Sequence, residues 1–330
     1  MLCLHLQAQH PLKNKKTKDM KQKNIQIFSV ILLMLLFSFD GVAQQDPMYT
    51  QYMYNTLSVN PAYAGSRDAL SLTGLIREQW VGIDGAPSTQ SLTMHSPIYS
   101  DNMGLGLSVI NDKVGPIHQT MLFADYSYSI QTTDNAKLAF GLKAGVNILQ
   151  ADLLALHRNV SGDQAIYNAD NKLLPNVGVG VYYYSDKGYI GLSAPKLLQQ
   201  TIKSYNNGTV TDNVERRHYF LIGGYVFSLS ENVKFKPSFL VKAVEGAPLS
   251  IDLSGNFFFN DKFGIGLAHR LDDSFSALLQ YYVTPQFRIG YAYDLTMTEL
   301  RHYNSGSHEL MVGYDFNFVE DTRIRSPRFF

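Results

Sequence analysis

Histidine is the residue type in this 330-residue sequence best suited to metal binding or proton transfer, and there are nine. Two of them lie within the first 43 residues. The other seven are scattered, and none stands at the close spacing with which paired ligands hold a metal ion. We therefore expect no metal site and no cofactor among them: His95, His118, His157, His218, His269, His302 and His308.

Hydrolytic chemistry would need a serine beside a histidine, with a third group to orient the histidine. His269 is the one suggestive position, because it shares a strand face with Phe263, Ile265 and Leu267. Its strand neighbours offer no serine and acid on that face. A histidine in an aromatic ring at a membrane boundary is the ordinary explanation. We predict that the chain is not an enzyme.

Three Gly-X-Gly pairs resemble fragments of a phosphate-binding loop: Gly104 with Gly106, Gly178 with Gly180, and Gly264 with Gly266. None extends to the full GxGxxG pattern, and none opens a predicted helix. Small residues on the inner face of a curved sheet explain them better.

The composition indicates a folded chain made of strands. It is 45% hydrophobic and 12% aromatic but only 17% charged, with 21 Tyr and 19 Phe. That charged fraction is below the ~25% usual for soluble domains, which favours long strands in lipid. Lys and Arg equal Asp and Glu at 28 each, which argues against a nucleic-acid partner. Cys3 is the sole cysteine, so no disulfide framework is expected.

Residues 1–43 have the features of a secretory signal peptide. Six lysines precede the uncharged run 25–39, and small residues stand at the cleavage position that ends at Ala43. Met20 is a possible true start. Removing residues 1–43 takes away six Lys and two Asp, which leaves 22 basic and 26 acidic side chains, a net charge of −4. The mature chain is expected to begin near Gln44.

Residues 68–319 repeat stretches in which apolar and polar residues alternate. Such a period of two predicts β-strands. Leu142 shares one face of its stretch with Phe140, whereas Lys143 lies on the other. A soluble β-sandwich could alternate in this way, but stretches of ten or more residues exceed the usual ~5–6 and match the ~9–11 of a membrane-crossing strand. We count fourteen: 69–79, 88–98, 103–111, 118–130, 136–149, 174–184, 188–195, 216–228, 233–243, 249–259, 262–270, 274–284, 286–297 and 307–318.

The lengths of the links support a closed barrel. Tight links rich in Asn and Asp follow the even strands, and the long links 150–173, 195–215 and 298–306 follow odd ones. We therefore predict an all-β, transmembrane antiparallel barrel of about fourteen strands, with both termini in the periplasm. Residues 320–330, with three Arg, form a predicted periplasmic tail.

The amino-terminal segment 44–67 does not alternate. A fourteen-stranded barrel is too wide for its own side chains to fill, so we predict that this segment folds into the lumen as a plug. The plug residues proposed are Asp46, Pro47, Tyr52, Asn60, Pro61, Tyr63 and Gly65.

Charged residues of both signs share the predicted inner face. They could line a selective channel or form a salt-bridged interior that holds a plug. The mixed signs favour the second, since a selective constriction would carry one sign. These residues are Lys137, Lys143, Lys242, Asp252, Arg288, Asp294, Glu309 and Asp315.

Four stretches of the mature sequence are similar to the PorP/SprF family of type IX secretion system membrane proteins. They are QDPMYTQYMYN (45–55), VNPAYAGS (59–66), REQWVGIDGAP (77–87) and GLGLSVINDKVGP (104–116). The resemblance covers essentially the whole mature chain. Residues 56–58 depart from it, where many relatives have a stretch richer in proline or leucine.

The resemblance implies an outer-membrane protein of a Gram-negative bacterium that works with the type IX secretion and gliding apparatus. It implies a secreted or surface adhesin as cargo, and other secretion or periplasmic ring components as further partners beside the outer-membrane lipid. The alternative from the residues alone is an outer-membrane diffusion channel or transporter.

The lone tryptophan marks a candidate partner-binding loop. Trp is common at the centres of protein interfaces, and this one stands in a short link with two Gly and a Pro. A place in the aromatic belt at the lipid boundary explains it equally well. The proposed partner-binding residues are Gln79, Trp80, Gly82, Asp84, Gly85 and Pro87.

Overall fold

The computed structural model describes residues 46–98, 100–151, 169–206, 209–214 and 216–316. The predicted signal peptide and the predicted tail 320–330 lie outside these residues. Every described strand belongs to one compact unit, which includes the described residues up to 245 and from 249 on.

Seventeen strands lie within the described residues. Their bounds are β1 Leu70–Glu78, β2 Ser88–Ile98, β3 Ser100–Val114, β4 Ile117–Thr133, β5 Ala136–Ala151, β6 Ala169–Ser185, β7 Gly188–Ala194, β8 Thr201–Asn206, β9 Thr209–Val214, β10 His218–Tyr225, β11 Phe227–Ser228, β12 Val233–Val244, β13 Ser250–Phe259, β14 Phe263–Arg270, β15 Ser274–Tyr282, β16 Phe287–Thr296 and β17 Ser307–Phe316.

Fifteen of these strands form one closed antiparallel sheet. Strands β1 to β7 pair in chain order, as do β12 to β17; β1 pairs with β17, and β10 joins β7 to β12. β10 and β11 are two parts of one barrel strand, interrupted at Val226, whose amide donates to the carbonyl of Lys187. The ring therefore has fourteen strands, as predicted.

The two faces of the wall follow the predicted alternation. Leu142 is 59% exposed, whereas the neighbouring Lys143 is 3% exposed. The same contrast separates Leu253 from Asp252 on β13. Apolar side chains thus cover the outside, where a bilayer can solvate them, and polar ones point into the lumen.

The two ends of the barrel differ in their links. One end, called here the short-turn end, has tight links such as 134–135, 186–187 and 260–262. Asn260 and Asp261 adopt positive φ angles of 50° and 55° there, which Asn and Asp tolerate better than most residues. The other end, the long-link end, has the links 79–87, 195–217 and 297–306.

The hairpin β8–β9 was not predicted. It lies in the long link that follows β7 and forms a separate two-stranded sheet. Each of its strands has only six residues, too few for an alternation to stand out in a polar stretch.

Candidate functional site

The amino-terminal segment 46–67 lies inside the barrel. Its residues Tyr52, Met53 and Leu57 are buried in one cluster with inward-facing wall residues such as Tyr182 and Phe258. The segment folds into three single turns of 3-10 helix, Tyr52–Tyr54, Thr56–Ser58 and Pro61–Tyr63. This filled lumen is the candidate functional site.

The third turn has its start specified by sequence. The Asn60 side chain accepts a hydrogen bond of 3.0 Å from the Ala62 amide, as an N-cap residue does. Pro61 follows in the first helical position, where its missing N–H is no loss. The Asn60 amide group also donates to the Val181 carbonyl at 3.1 Å, which fastens the turn to β6.

Near the long-link end, three charged wall residues hold the segment. The Arg77 guanidinium lies 2.7 Å from the Asp294 carboxylate and 3.1 Å from that of Glu309. Glu309 accepts hydrogen bonds from the backbone amides of Thr50 and Gln51, each at 2.8 Å. All three charges are buried, so the segment's own amides help to satisfy a carboxylate that water does not reach.

Near the short-turn end, the segment supplies a charge of its own. Arg67 lies 3.0 Å from Asp315 on β17, which Arg288 approaches at 3.4 Å. The Ser71 hydroxyl donates to the other oxygen of Asp315 at 2.7 Å. Arg67, Arg288 and Ser71 together satisfy the buried carboxylate of Asp315.

Glycines in the wall let the backbone of the segment come close. A Cβ at Gly141 would overlap the backbone of Pro61 and Ala62, and one at Gly104 would overlap the Ala64 carbonyl. At Gly180 it would overlap the Asn60 side chain. Gly104 and Gly180 belong to the Gly-X-Gly pairs, and their small size is required by this contact.

Wall side chains also bind backbone atoms of the segment. The hydroxyl of Ser193 donates to the Val59 carbonyl at 2.7 Å, and that of Ser127 to the Ala64 carbonyl at 2.6 Å. The Gly65 amide donates to Nδ1 of His95 at 3.1 Å. These bonds satisfy polar groups of irregular backbone that is buried away from water.

The first described residues reach the long-link end. Asp46 lies 2.8 Å from the Lys196 ammonium, which follows β7, and near His218, which begins β10. The Lys196 ammonium is the cationic partner of the Asp46 carboxylate, and Nδ1 of His218 lies 3.5 Å from its other oxygen.

The described ion pairs include six of the eight predicted inner-face residues. Lys143 lies 3.1 Å from Asp125, and Arg270 lies 2.8 Å from Asp252. Arg288, Asp294, Glu309 and Asp315 form the pairs described above. The partners Arg77, Asp125 and Arg270 were not predicted, although Arg77 and Asp125 share the inner-face parity of their strands.

The position of the amino-terminal end differs from the expectation. The ends of β1 and β17 at Leu70 and Phe316 lie together at the short-turn end, as expected for a barrel closed by its first and last strands. Asp46 lies at the opposite end, because the segment runs through the lumen before β1 begins. The two ends of the described chain therefore do not share one side of the barrel.

The candidate partner-binding loop is held to its neighbours by backbone bonds. The Val81 amide donates to the Gly306 carbonyl at 2.9 Å, and the Ser305 amide donates to the Val81 carbonyl at 2.8 Å. The Gly115 amide donates to the Gly85 carbonyl at 2.8 Å. Links 79–87, 115–116 and 297–306 thus form one connected surface at the long-link end.

Within that surface, the proposed residues differ in exposure. Gly82, Asp84 and Gly85 are exposed, while Gln79, Trp80 and Pro87 are half-buried. The Trp80 backbone has a φ of 50°, and its amide donates to the Ser307 hydroxyl at 3.1 Å. Tyr303 of the neighbouring link is 73% exposed.

His269 lies on the outer face and stacks on Phe275, with ring centroids 4.0 Å apart. Its Nδ1 lies 3.1 Å from the backbone carbonyl of Ser274. Among the residues that the structure describes, no group of three or more His, Cys, Asp or Glu side chains could hold a metal ion. The helices in that part of the chain are all too short or too polar to span a membrane.

Comparison with protein families identifies the chain. Residues 41–314 match the sequence model of the type IX secretion system membrane protein PorP/SprF. The chain belongs to this family. The predicted membership is confirmed, and a closed bacterial barrel of a type IX secretion system membrane protein is an outer-membrane protein. A search of curated proteins finds no match.

Several solved barrels share the general architecture. NanC porin is 10% identical over 76% of this chain and 100% of its own, with a TM-score of 0.40. The CymD monoaromatic hydrocarbon channel is 12% identical over 82% of this chain and 94% of its own, with a TM-score of 0.44. The toluene transporter TodX of Pseudomonas putida is 9% identical over 85% of this chain and 96% of its own, with a TM-score of 0.45. Similarity at this level carries no information on what this chain does.

Proposed function

We propose that this PorP/SprF family member is a non-enzymatic accessory of type IX secretion that supports the export or surface attachment of a partner adhesin. Its family supports a role in the secretion system. Links to the gliding machinery and to periplasmic ring components belong to the same proposal. In this role the barrel is an anchor in the outer-membrane lipid, and its partners are proteins.

The observation that carries the proposal is the lumen filled by residues 46–67. A diffusion channel needs a continuous water-filled path, whereas this segment is fastened to the wall near both ends by Glu309 and Asp315. Beside the segment, Asp46, Tyr49 and Lys196 line a cavity of about 40 Å³. An anchor needs no open path.

The conductance of the purified protein in a planar bilayer tests the plug. We expect the intact chain to be closed, with rare openings. A steady, large conductance of the intact chain would favour the diffusion channel or transporter and overturn the plug.

The proposed docking surface is the long-link surface around Trp80 and Asp84. Backbone bonds hold it to links 115–116 and 297–306, so a partner would meet a pre-formed shape and lose little entropy on binding. Exposed Asp84 and Tyr303 are available to such a partner.

Replacing Trp80 with Ala and Asp84 with Lys tests docking. We expect surface display of the partner adhesin to fall about tenfold or more, because loss of a central Trp contact typically costs ~2 kcal/mol or more. The measurement is antibody labelling of the adhesin on intact cells, with heat-modifiable gel mobility to confirm that the barrel is folded.

Trp80→Phe is the matched control. A boundary role would be preserved by Phe, so normal display in that variant is expected in either case. Normal display in the folded double mutant would contradict the docking role and leave Trp80 as a residue of the aromatic belt.

A further inference from the structure

The direction in which the amino-terminal segment runs through the lumen determines at which end of the barrel the mature amino terminus lies. Leu70 starts β1 at the short-turn end, paired with Phe316. Upstream of it, Arg67 contacts Asp315 near that same end, while Thr50 contacts Asp294 near the long-link end. The chain therefore runs through the lumen from the long-link end to the short-turn end, and β1 then runs back to the long-link end.

Asp46 holds the start of this path at the long-link end. Its partner Lys196 follows the last residue of β7, and His218 is the first residue of β10. Both flank the long link 195–217. The Asp46 side chain is 20% exposed, so the segment reaches the mouth of the barrel at this point and is not enclosed by it.

Too few residues precede Asp46 to return to the other end. Cleavage after Ala43, as the sequence predicts, leaves Gln44 and Gln45, which span at most about 7 Å. The nine residues of β1 alone extend over roughly 30 Å at ~3.3 Å per residue. The mature amino terminus must then stay close to the mouth at which Asp46 lies.

We infer that the mature amino terminus of this protein is presented at the cell surface, held at the long-link mouth by the Asp46–Lys196 ion pair. Outer-membrane barrels place their longer loops outside and their short turns in the periplasm. The lumen segment thus connects the two faces, with its free end outside and its tether to β1 at the periplasmic side. An extracellular partner can reach residues 46–48 together with Lys196 and His218, which flank the link.

An epitope inserted between Gln45 and Asp46 tests this inference. The same epitope between Asp84 and Gly85 marks the long-link end, and between Glu231 and Asn232 it marks the short-turn end. We expect antibody to label the first two insertions on intact cells and the third only after permeabilisation. Heat-modifiable mobility identifies folded barrels.

Labelling of the Gln45–Asp46 insertion only after permeabilisation, while the Asp84–Gly85 insertion is labelled on intact cells, would overturn the inference. The reverse orientation of the two marker insertions would overturn surface presentation as well. The readout is position alone, so it is independent of whether an adhesin depends on this protein.

A second experiment needs no insertion. The mature chain has no cysteine, so Pro47→Cys with Pro195→Cys gives a unique pair for a short bis-maleimide crosslinker; both residues line one cavity, and the Asp46–Lys196 ion pair is kept. We expect this pair to crosslink in whole cells, and Pro47→Cys with Glu231→Cys not to. Crosslinking of the second pair, or of neither, would contradict the path of the segment through the lumen.

Discussion

At Gly141 the wall of the barrel comes into direct contact with the backbone of the lumen segment. A Cβ there would overlap Pro61 and Ala62, and the backbone of a capped turn cannot move aside as a flexible side chain can. We predict that Gly141→Leu displaces the segment while the strands stay paired. The cost is about 1–3 kcal/mol or more, as for overpacking of a core. An increase in bilayer conductance checks this.

Gly74→Leu is the matched control. Gly74 lies on the outer face of β1, and a Cβ there would meet only the Leu92 side chain, at 3.9 Å. This variant should insert normally and remain closed. Closed Gly141→Leu barrels, or equal conductance in both variants, would contradict the fit between the glycines and the segment.

Single residues show how far the sequence could predict the site. Alternation alone placed Lys143 and Glu309 on the inner face, and both lie there. Their partners depend on register and on closure of the ring, which sets β1 beside β17 and brings Arg77 to Glu309. Alternation shows which face a residue lies on but not which residues stand opposite each other where β1 meets β17. The Arg77–Glu309 pair was therefore not predictable.

At the scale of elements, the fourteen barrel strands were predictable because each has a lipid face that must be apolar. The 3-10 turns of the segment were not predicted: Asn60 and Pro61 specify the start of the third turn, but single turns of three residues are too short to give a periodic pattern. β8 and β9 were missed for a related reason: they are short and lie outside the barrel wall, where no lipid face imposes alternation.

A substitution on the lipid-facing side of β5 tests which face of the strand lies in the bilayer. Leu142→Arg should destabilise the folded barrel by ~2–4 kcal/mol if the residue lies near the bilayer midplane, because it moves a charge into hydrocarbon. Urea unfolding in lipid vesicles measures the loss. Leu142→Met keeps the volume and polarity of the side chain, and should cost less than ~1.5 kcal/mol.

Lys143→Leu on the same strand is unsuitable as a neutral control, because it would leave Asp125 buried without its cation. We expect this variant to be destabilised too, and Asp125→Asn to recover part of the loss. Equal stability of Leu142→Arg and Leu142→Met would contradict the assignment of the outer face.

At the scale of the whole molecule, the barrel wall has stabilising contacts of its own that do not involve the lumen segment. The ladder of strand pairs closes without the segment, and the pairs Arg77–Asp294, Lys143–Asp125 and Arg270–Asp252 join wall residues to each other. Water entering an emptied lumen would solvate these charges. We therefore expect the wall to fold without the segment.

Deleting residues 46–66 should yield a folded barrel that conducts. Arg67 is kept so that Asp315 retains its ion pair. The intact barrel should show little conductance and the deletion variant a steady, large one, because a fourteen-stranded wall leaves a lumen that its own side chains cannot fill. Adding a synthetic peptide of residues 46–66 should reduce that conductance, since Glu309 and Ser193 present free acceptors and donors to it, and a scrambled peptide should not. A deletion variant that is heat-modifiable, inserted and still closed would show that the wall itself, and not the amino-terminal segment, seals this barrel.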